Sequence, residues 1–488
     1  MVQKGVLTKI VGRENADDAP ATLEAYSRDI SFANPVRPAH VVRPRTAEEV
    51  QKLVRLANET NTPLVPVSSG PPHFRGDTVP GIGGSIIVDL SGMRKVIFVD
   101  RLRRVAMVEP GVTFGDLIPQ VKKEGLRLNM PLLPRKSKSV VGSILEREPV
   151  TMPKYQWDVS DPLACAGVYF GTGDEFRTGQ AAGPGSLEEQ WKVGGVQKAP
   201  YGPGIASWHR LIQGSQGTMG IVTWISLRCE ILPSLEEPFV LGSPNLGALL
   251  DLTSWLIRLR MVNECLILNN VNLAAIFTKK WPKDYQGLKD ALPPWTLFYT
   301  VAGYEYLPEE RVSSHIKDIT DLTQRMGVKA TKTIGPISAH EILKAVQKPS
   351  EEPYWKLRYK GACQDIMFLT IHDKLEDQVR VMNGLADKSG YAASNLGVYI
   401  QPVVQGTGYH CEFNLFYDPE VAMELSRAKE LSSSATRGLL AAGAFFSRPY
   451  GEEAGMILNK DAATVSVLQK FKKIFDPNNV MNPGKVCF

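Results

Sequence analysis

A loop rich in serine, glycine and proline contains the first side chains whose type and spacing suggest chemistry. In order, it reads Ser68, Ser69, Gly70, Pro71, Pro72, His73, Phe74, Arg75 and Gly76. Small and cyclic residues let backbone N–H groups approach an anion closely, the serine hydroxyls can add donors, and Arg75 can supply charge or brace the loop. The GxGxxG and GxxxxGK[ST] patterns are absent from the sequence, so the loop belongs to neither of those types. It is a candidate phosphate site, although a Gly/Pro loop between strands is most often only a turn.

A second candidate centres on His410, within residues 408–414. Alternate side chains of a strand share one face, so in a strand His410, Glu412 and Asn414 would point the same way. A histidine beside a carboxylate can act as a base or as an orienting group whose charge depends on pH. The alternative is a hydrogen-bonded core histidine. No second histidine stands at ligand spacing, so the sequence predicts no metal site.

Composition and charge are those of an ordinary soluble enzyme. The chain has 488 residues, of which 43% are hydrophobic and 22% charged, and its formal net charge is +5. The basic residues do not cluster in runs, which argues against a nucleic-acid partner. No two of the six cysteines form a CxxC, so we expect reduced thiols and neither a zinc knuckle nor an iron–sulfur motif. The sequence has no signal-peptide pattern and no apolar run of membrane-spanning length, and it predicts a cytoplasmic protein without a membrane span.

The segments around the loop predict an α+β unit. A capping-box pattern at Thr46 and Glu49 begins a predicted helix that has apolar residues at helical spacing. A second helix is predicted over residues 116–123. Strands are predicted over residues 62–67, 85–90, 96–99 and 105–108. A strand–helix–strand unit followed by further strands favours the α+β class.

The middle of the chain, about residues 234–445, predicts a second unit in which helices and strands alternate. Its helices are predicted over residues 249–259, 312–326 and 375–389. Its strands are predicted over residues 295–302, 365–371, 397–402 and 410–417. A Gly/Pro-rich stretch over residues 179–207 precedes this unit, and loops of that length are usually functional. The tail predicts a final helix over residues 465–475.

The order of several motifs resembles the vanillyl-alcohol oxidase/p-cresol methylhydroxylase superfamily, whose members carry a PCMH-type FAD-binding domain. The motifs are the Val-Arg-Pro at 42–44, the loop 68–76, the Glu-Pro-Gly at 109–111, the Gly-Ser-Ile-Leu-Glu at 142–146, the segment 214–223 and the Asn-Pro-Gly-Lys at 482–485. The resemblance covers nearly the whole chain in the right order. The loop 70–76 and the Arg-Thr-Gly at 177–179, with the insert that follows it up to residue 203, are most similar to the 4-alkylphenol-oxidising branch. The glycolate and D-lactate dehydrogenase branch is a weaker match, because its Gly-Glu-His-Gly signature lacks the histidine near residues 450–453.

The resemblance implies a fold, a domain division and a cofactor. A two-subdomain PCMH-type FAD-binding domain is expected over residues 1–233, an α/β cap (substrate) domain with an antiparallel sheet over 234–455, and a C-terminal segment that returns to the FAD domain over 456–488. The implied cofactor is FAD. The residues expected to contact it are Ser68, Ser69, Gly70, Pro71, Pro72, His73, Gly142, Ser143, Leu145, Glu146, Gly220, Ile221, Val222, Asn482 and Lys485.

The implied reaction is removal of a hydride from a benzylic or alcoholic carbon onto flavin N5. In the phenol-oxidising branch, two tyrosines and one arginine hold the substrate phenolate. Arg448 matches the arginine, whereas Ser447 stands where one tyrosine is expected and Val67 falls close to the other. We therefore expect a phenol-like or anionic aromatic substrate rather than an ordinary para-alkylphenol, because an arginine suits a carboxylate or other planar anion by bidentate contact.

Further catalytic residues follow from the same resemblance. His410 is similar in position to a family histidine close to the substrate. The family has an acidic residue near flavin N5, for which Asp158 is the candidate, and Gln156 is as close in the sequence. Tyr155 would line the pocket. The alternative for these last three residues is an ordinary loop.

Flavin attachment and partners are also implied. Asp365 stands where the cap domain can attach flavin and cannot form that bond, and His73 has an imperfect offset from the histidine of other branches, so we predict non-covalent FAD. The expected partners are a small-molecule substrate and an electron acceptor, either oxygen or a redox protein, and relatives often form homodimers. Two alternatives stay open: a 2-hydroxyacid dehydrogenase of the D-lactate or glycolate type, and the flavoprotein subunit of an electron-transfer complex.

Overall fold

The computed structural model describes residues 2–202 and 209–488. The end of the Gly/Pro-rich stretch at 179–207, with the last residue of the predicted insert, lies outside the described residues. The described part of the chain forms three large sheets and one short two-stranded sheet. In the same part, no helix combines the length and the apolar character needed to cross a bilayer.

The first sheet contains the strands β1 (Ala16–Asp17), β2 (His40–Val42), β3 (Leu64–Val67) and β4 (Ile86–Asp89). Its order is β1-β2-β4-β3, and β2 and β3 both run parallel to β4. Helices α1 (Lys4–Val11), α2 (Pro20–Ala25) and α3 (Ala47–Thr60) pack on it. The predicted helix α3 is confirmed: the Thr46 hydroxyl accepts a hydrogen bond from the Glu49 N–H at 3.2 Å, and the apolar face is buried.

The second sheet is antiparallel and has the order β5-β6-β10-β8-β9, with β7 paired to the end of β10. Its strands are β5 (Val96–Asp100), β6 (Val105–Val108), β7 (Leu126–Leu128), β8 (Leu163–Phe170), β9 (Glu175–Arg177) and β10 (Gly220–Ile231). The helices α4 (Phe114–Lys123) and α5 (Val140–Leu145) contribute apolar residues to the core beneath this sheet. Two short helices, α6 (Leu187–Lys192) and α7 (His209–Ile212), follow β9.

The third sheet is antiparallel and has the order β11-β13-β12-β17-β18-β16, while β14 and β15 form the short two-stranded sheet. These strands are β11 (Leu235–Ser243), β12 (Cys265–Asn269), β13 (Trp295–Gly303), β14 (Thr333–Ile334), β15 (Ile337–Ser338), β16 (Ala362–Thr370), β17 (Leu396–Val403) and β18 (Gly408–Tyr417). The helices are α8 (Leu246–Arg258), α9 (Asn270–Phe277), α10 (Tyr285–Ala291), α11 (Pro308–Arg325), α12 (Ala339–Val346), α13 (Leu375–Lys388) and α14 (Ala422–Ala441). One face is covered mainly by α8, α11, α13 and α14, and part of the other by α9, α10 and α12.

The C-terminal segment returns to the first sheet. After α15 (Gly451–Leu458) and α16 (Ala462–Phe475), Leu64 N–H donates to the Val480 carbonyl at 2.7 Å and Asn482 N–H donates to the Leu64 carbonyl at 2.8 Å. The chain end therefore lies beside β3, immediately before the 68–76 loop. The predicted boundary at residue 233 falls between β10 and β11, and the division into three segments stays a prediction.

Candidate active site

A large cleft lies between the third sheet and the part of the chain that forms the first two. It encloses about 1590 Å³, including its opening to solvent. One wall consists of the loop after β3, α5 and the start of β10. The other consists of the turn Trp355–Leu357 and side chains of β16, β17 and β18.

The predicted phosphate loop brings Ser68, Ser69 and His73 to the cleft. Within the loop, Gly70 N–H donates to the Ser137 carbonyl at 3.0 Å, so this amide already has a partner. The Ser69 hydroxyl accepts from the Ser139 N–H at 3.0 Å, and His73 Nε2 lies 2.9 Å from the Ser69 carbonyl oxygen. Burial lowers the pKa of His73 and favours its neutral form. The serine hydroxyls, rather than the Gly70 amide, are thus the loop's candidate donors to a phosphate, and Pro71 and Pro72 do not line the cleft.

Helix α5 packs directly against this loop. Gly142, Leu145 and Glu146 line the cleft, whereas the Ser143 hydroxyl donates to Glu148 Oε2 at 2.6 Å. A Cβ atom at Gly142 would lie 3.0 Å from the Ser68 hydroxyl oxygen and 3.5 Å from that of Ser69. The glycine therefore allows the helix and the loop to form one continuous wall.

Two predicted cofactor residues of the C-terminus brace loops instead of lining the cleft. Asn482 Nδ2 donates to the carbonyls of Asp77 at 2.9 Å and Gln216 at 2.7 Å, and Lys485 Nζ donates to the Gly76 carbonyl at 2.7 Å.

The start of β10 lines the cleft with alternate residues. Gly220 and Val222 do so, while Ile221 packs into the core beneath the first sheet. This is the alternation expected of neighbouring positions on a strand.

Two arginines from distant parts of the chain reach the cleft. Arg75 lies 3.4 Å from Glu148 and 3.6 Å from Glu146, and its guanidinium carbon is 5.2 Å from the centre of the Tyr450 ring. The predicted substrate arginine, Arg448, lines the cleft and donates to the Glu146 carbonyl at 3.2 Å. Burial, and then the charge of Arg75, lower the pKa of Arg448. Both groups contact Glu146, Arg75 at its carboxylate and Arg448 at its carbonyl, so the two guanidinium groups are near each other.

The third sheet contributes a buried ionic cluster on its cleft-facing side. Lys356 Nζ lies 2.6 Å from both Asp365 and Glu412, and Asn414 Nδ2 donates to both carboxylates at 2.7 and 2.8 Å. Burial acts to raise the pKa of Glu412, but the Lys356 ammonium and His410 outweigh it and hold that pKa well below its usual value. Both carboxylates therefore have a fixed cation before any ligand binds.

His410 lies beside this cluster, in a small neighbouring cavity of about 300 Å³ that Arg448 and Ser447 also line. Its Nε2 is 3.4 Å from Glu412 Oε2 and makes no hydrogen bond within the described residues. Burial lowers the pKa of His410, so the ring is neutral near pH 7. The predicted shared face of His410, Glu412 and Asn414 is confirmed by the pairing of β18 with β16 and β17.

The structure does not bring Asp158 and Tyr155 to the cleft. Asp158 forms a partly exposed ion pair with Arg210 at 2.5 Å, and the Tyr155 hydroxyl contacts that of Tyr304 at the edge of a different cavity. Gln156 accepts a hydrogen bond from the Val404 N–H at 2.8 Å and so joins the two halves of the molecule. These contacts support the alternative that residues 155–158 form an ordinary loop. The catalytic roles of Asp158 and Tyr155 stay predictions, and this arrangement does not support them.

Four aromatic side chains that sequence reasoning did not select also line the cleft. They are Tyr354, Trp355, Tyr399 and Tyr450. The first two directly precede Lys356 in an unremarkable turn, and the other two reach the site only through the pairing of β17 with β18 and the path of the chain after α14. Of these four residues, only Tyr450 could have been selected from the sequence, because it stands two residues after Arg448.

Metal ligation and disulfide bonding do not occur among the described residues. Within residues 2–202 and 209–488, no group of three or more His, Cys, Asp or Glu side chains could hold a metal ion. All six cysteines are free thiols, and five of them are buried.

Comparison with known families identifies two flavin-related domains. Residues 38–149 match the FAD binding domain family, and residues 450–486 match the C-terminal domain of FAD linked oxidases. Among curated proteins, the chain is 24% identical to an FAD-linked oxidoreductase of Mycobacterium tuberculosis, over 98% of this chain and 97% of that protein. It is also 24% identical to the glycolate oxidase subunit GlcD of Bacillus subtilis, over 100% of this chain and 97% of the relative.

Solved structures show the same fold. The structure of p-cresol methylhydroxylase with substrate bound superposes with a TM-score of 0.83 at 19% identity, over 99% of this chain and 95% of that one. The 4-ethylphenol oxidase from Gulosibacter chungangensis superposes with a TM-score of 0.81 at 18% identity, over 98% and 95%. The expected α+β, PCMH-type two-subdomain fold is confirmed. The chain is an FAD-linked oxidoreductase with the fold of p-cresol methylhydroxylase, and FAD is its cofactor.

The residues of the cleft fit this cofactor. A pyrophosphate requires hydrogen-bond donors and a bare backbone that permits close approach. Ser68 and Ser69 supply hydroxyls, Gly142 supplies a position at which a Cβ would crowd those hydroxyls, and Arg135 and Lys138 bring positive charge to the same wall. These five residues are the ones that would hold the phosphates, while the cap-facing half of the cleft is left for a substrate.

Proposed function

We propose that this FAD-linked oxidoreductase removes a hydride from a benzylic or alcoholic carbon of an aromatic, anionic substrate. The observation that carries the proposal is the placement of Arg448 in a cleft whose cap side presents Tyr354, Trp355, Tyr399 and Tyr450. A buried guanidinium selects an anion, and aromatic side chains orient a flat ring by edge or face contact.

In this proposal, each group of the chain has one task. FAD, when bound, supplies the two-electron acceptor, and the protein supplies orientation and electrostatics. Arg448 holds the anionic group, and the tyrosines and Trp355 confine the ring. For an alcohol substrate the hydroxyl proton also has to leave, and neutral His410, with its unpartnered Nε2, is the proposed acceptor.

We propose that the flavin is held without a covalent bond. His73 already contacts the Ser69 carbonyl, and Asp365 is fixed by Lys356 and Asn414. Acid precipitation of the purified holoprotein is expected to release all of the yellow flavin into the supernatant. Flavin that stays on the denatured chain would contradict this proposal.

A second candidate is a 2-hydroxyacid dehydrogenase. The full-length similarity to the glycolate oxidase subunit of B. subtilis favours it, and an arginine binds a 2-hydroxyacid carboxylate as readily as an aryl carboxylate. The aromatic lining favours the first candidate, because a two- or three-carbon acid would leave those rings without contact.

Anaerobic spectra separate the two candidates. Purified holoprotein is mixed, in the absence of oxygen, with 4-(hydroxymethyl)benzoate, 4-hydroxybenzyl alcohol, D-lactate or glycolate, and the flavin absorbance is followed. The proposed function predicts bleaching by an aromatic alcohol and none by the two aliphatic acids. Bleaching by D-lactate or glycolate alone would reject the proposed function in favour of the second candidate.

A further inference from the structure

The cleft contains two kinds of buried cation, which differ in how completely they are paired. Lys138 contacts Glu146 at 2.6 Å, and Lys356 contacts two carboxylates at 2.6 Å. Arg75 approaches no carboxylate of the described residues more closely than 3.4 Å. For Arg448, no carboxylate oxygen among residues 2–202 and 209–488 lies within the 4.0 Å of an ion pair. Of these four cations, Arg448 therefore has no carboxylate partner in the described residues, and Arg75 has only the two longer ion pairs.

The hydrogen bonds of the two guanidinium groups lead to the same conclusion. Each guanidinium has five N–H donors. Arg448, which is 6% exposed, uses one strong contact, to the Glu146 carbonyl at 3.2 Å. Arg75, whose side chain is 17% exposed, donates to the Met367 sulfur at 3.4 Å and forms ion pairs with Glu148 at 3.4 Å and Glu146 at 3.6 Å. No nitrogen of either guanidinium is a fully buried atom without a partner, so the donors that make no contact within the described residues face the cleft.

Arg75 faces the cap side of the cleft although it belongs to the phosphate loop. Its contact with Met367 is to strand β16 of the third sheet, and it stacks over Tyr450, which lies close to Arg448 in the chain. Ser68 and Ser69 of the same loop lie against Gly142, one turn of α5 before the Glu146 that Arg75 contacts. The loop thus places its hydroxyls beside Gly142 and its guanidinium beside Glu146, Met367 and Tyr450.

Two neighbouring guanidinium groups in a buried cleft favour a particular anion. They repel each other, and the pKa of Arg448 is lowered by burial and by Arg75, yet an arginine side chain does not lose its proton in a protein. An anion between them would relieve this repulsion. A carboxylate has two oxygens that match the planar forks of both groups, whereas a phenolate has a single oxygen.

We propose that Arg75 and Arg448 together bind the carboxylate of the substrate, so that this enzyme takes aryl carboxylates instead of neutral or simple phenols. Arg75 is thereby a specificity-determining residue. The inference rests on the proposed function for the aromatic part of the substrate, and on the arginine pair alone for the carboxylate. The long contacts of Arg75 to Glu146 and Glu148 give way when the carboxylate binds, and Lys138 and Ser143 keep both glutamates paired.

The test compares benzoate with benzamide, its neutral isostere, as ligands of the holoprotein. Binding is measured by calorimetry and by the change in flavin absorbance. The wild type is expected to bind benzoate about 10- to 100-fold more tightly than benzamide, the range given by charge-assisted hydrogen bonds. Equal affinities would overturn the proposal without any variant, whatever the fate of the mutants.

The variants Arg75→Met and Arg448→Met are each expected to remove most of the benzoate preference, and Arg75→Lys to remove part of it, because lysine keeps the charge but not the fork. Arg94→Met is the control, since it removes the same charge from an exposed ion pair with Asp116. Unchanged benzoate affinity in Arg75→Met would reject a role for Arg75. So would a lowered flavin midpoint potential with benzoate affinity intact, which would show that Arg75 serves the cofactor.

The outcomes distinguish this inference from the proposed function. If D-lactate alone bleaches the flavin while Arg75→Met still loses benzoate affinity, carboxylate binding by the arginine pair is supported and an aromatic substrate is rejected. If an aromatic alcohol bleaches the flavin and the holoprotein binds benzoate no more tightly than benzamide, carboxylate binding by the arginine pair is rejected and the proposed function is supported.

Discussion

At the scale of single residues, the charges facing the cleft have different tasks. Lys356, Asp365 and Glu412 satisfy one another and are held further by Asn414. Arg75 and Arg448 leave most of their donors open to the cleft. Lys356, Asp365 and Glu412 are expected to determine the stability of the third sheet, called the cap sheet from here on. Arg75 and Arg448 are expected to determine which ligand binds.

Replacing Lys356 with methionine tests the structural task. The change leaves Asp365 and Glu412 buried without their cation, and the loss of one partner from a buried ion pair costs about 3–5 kcal/mol. We expect a fall of that size in the free energy of unfolding, measured by urea denaturation. Lys348→Met is the control, because the Lys348–Glu351 pair is exposed and contributes about 1 kcal/mol or less. Equal effects of the two substitutions would contradict the described cluster.

Replacing His410 with glutamine tests its role as a proton acceptor. The pKa of His410 is lowered from 6.5, so the neutral base is present above that value and is lost only as the pH falls below it. The rate of flavin reduction by an alcohol substrate should be level from about pH 8 to 6.5 and decline in more acid solution. In His410→Gln we expect a rate about 10²- to 10⁴-fold lower, without that acid limb.

The control for this experiment is His315→Gln, since the pKa of His315 is also lowered by burial but the residue lies on α11, outside the cleft lining. Its pH profile should match that of the wild type. If the rate of flavin reduction in His410→Gln still declines in acid as it does in the wild type, His410 is a core histidine and not the proton acceptor.

Sequence reasoning reached some of these residues and not others for identifiable reasons. Arg448 stands in a recognisable segment and His410 has an alternating strand around it, so both were selected. Lys356 has no local pattern: its partners stand 9 and 56 positions away, and only the order of β16, β18 and β17 unites them. Arg75 was identified as a source of charge or a brace, but its contact with Met367 could not be predicted from the loop.

At the scale of elements, the contact between the 68–76 loop and α5 forms the phosphate end of the cleft. The absence of a side chain at Gly142 is what allows this contact, because a Cβ there would meet the Ser68 hydroxyl at 3.0 Å. The loop itself is fixed by the Gly70 and Ser139 N–H groups and by the C-terminal Asn482 and Lys485.

Gly142→Val should therefore weaken cofactor binding more than folding. Added methyl groups in a well-packed contact cost about 1–3 kcal/mol, which corresponds to about 5- to 150-fold weaker FAD binding where the cost falls on the bound state. FAD content after dialysis and the dissociation constant from flavin fluorescence measure this loss. Gly115→Val is the control, because the nearest atom to a Cβ on that α4 residue is Thr113 Oγ1 at 3.7 Å. Full FAD retention in Gly142→Val would contradict the described wall.

Most elements near the cleft could be predicted because their patterns are local. The Thr46 cap marks the start of α3, and the spacing of its apolar residues indicates a helix; both signals lie within the segment itself. The strands at 295–302, 365–371, 397–402 and 410–417 were each predicted within a few residues of β13, β16, β17 and β18. Their order could not be predicted, because strands with both faces largely buried carry no alternation that indicates which neighbour they pair with.

At the scale of the whole molecule, buried and exposed ion pairs join the two sides of the cleft. Arg127 of β7 contacts Glu236 of β11 at 2.7 Å and also contacts Glu264, which precedes β12. Arg101 makes a second connection, to Glu305 at 2.5 Å, but the two side chains of this pair are 49% and 69% exposed. Among the described residues, the two buried ion pairs of Arg127 and the surface pair of Arg101 thus connect the two sides of the cleft.

Arg127→Met and Arg101→Met form a matched comparison. Removal of Arg127 leaves Glu264, which is fully buried, without its cation, and we expect about 3–5 kcal/mol of lost stability. Removal of Arg101 should change stability by about 0.5 kcal/mol or less. Thermal unfolding of the two holoproteins checks this, and a smaller effect for Arg127 than for Arg101 would show that the cap sheet is held in another way.

The most direct test of the proposed function is flavin reduction by 4-(hydroxymethyl)benzoate in stopped flow without oxygen, with the substrate either undeuterated or dideuterated at its benzylic carbon. We predict that the holoprotein is bleached by this compound and that deuterium slows the bleaching several-fold, because the benzylic C–H bond is the one that breaks. Flavin that stays oxidised with this and other aromatic alcohols, but is reduced by D-lactate or glycolate, would contradict the proposed function.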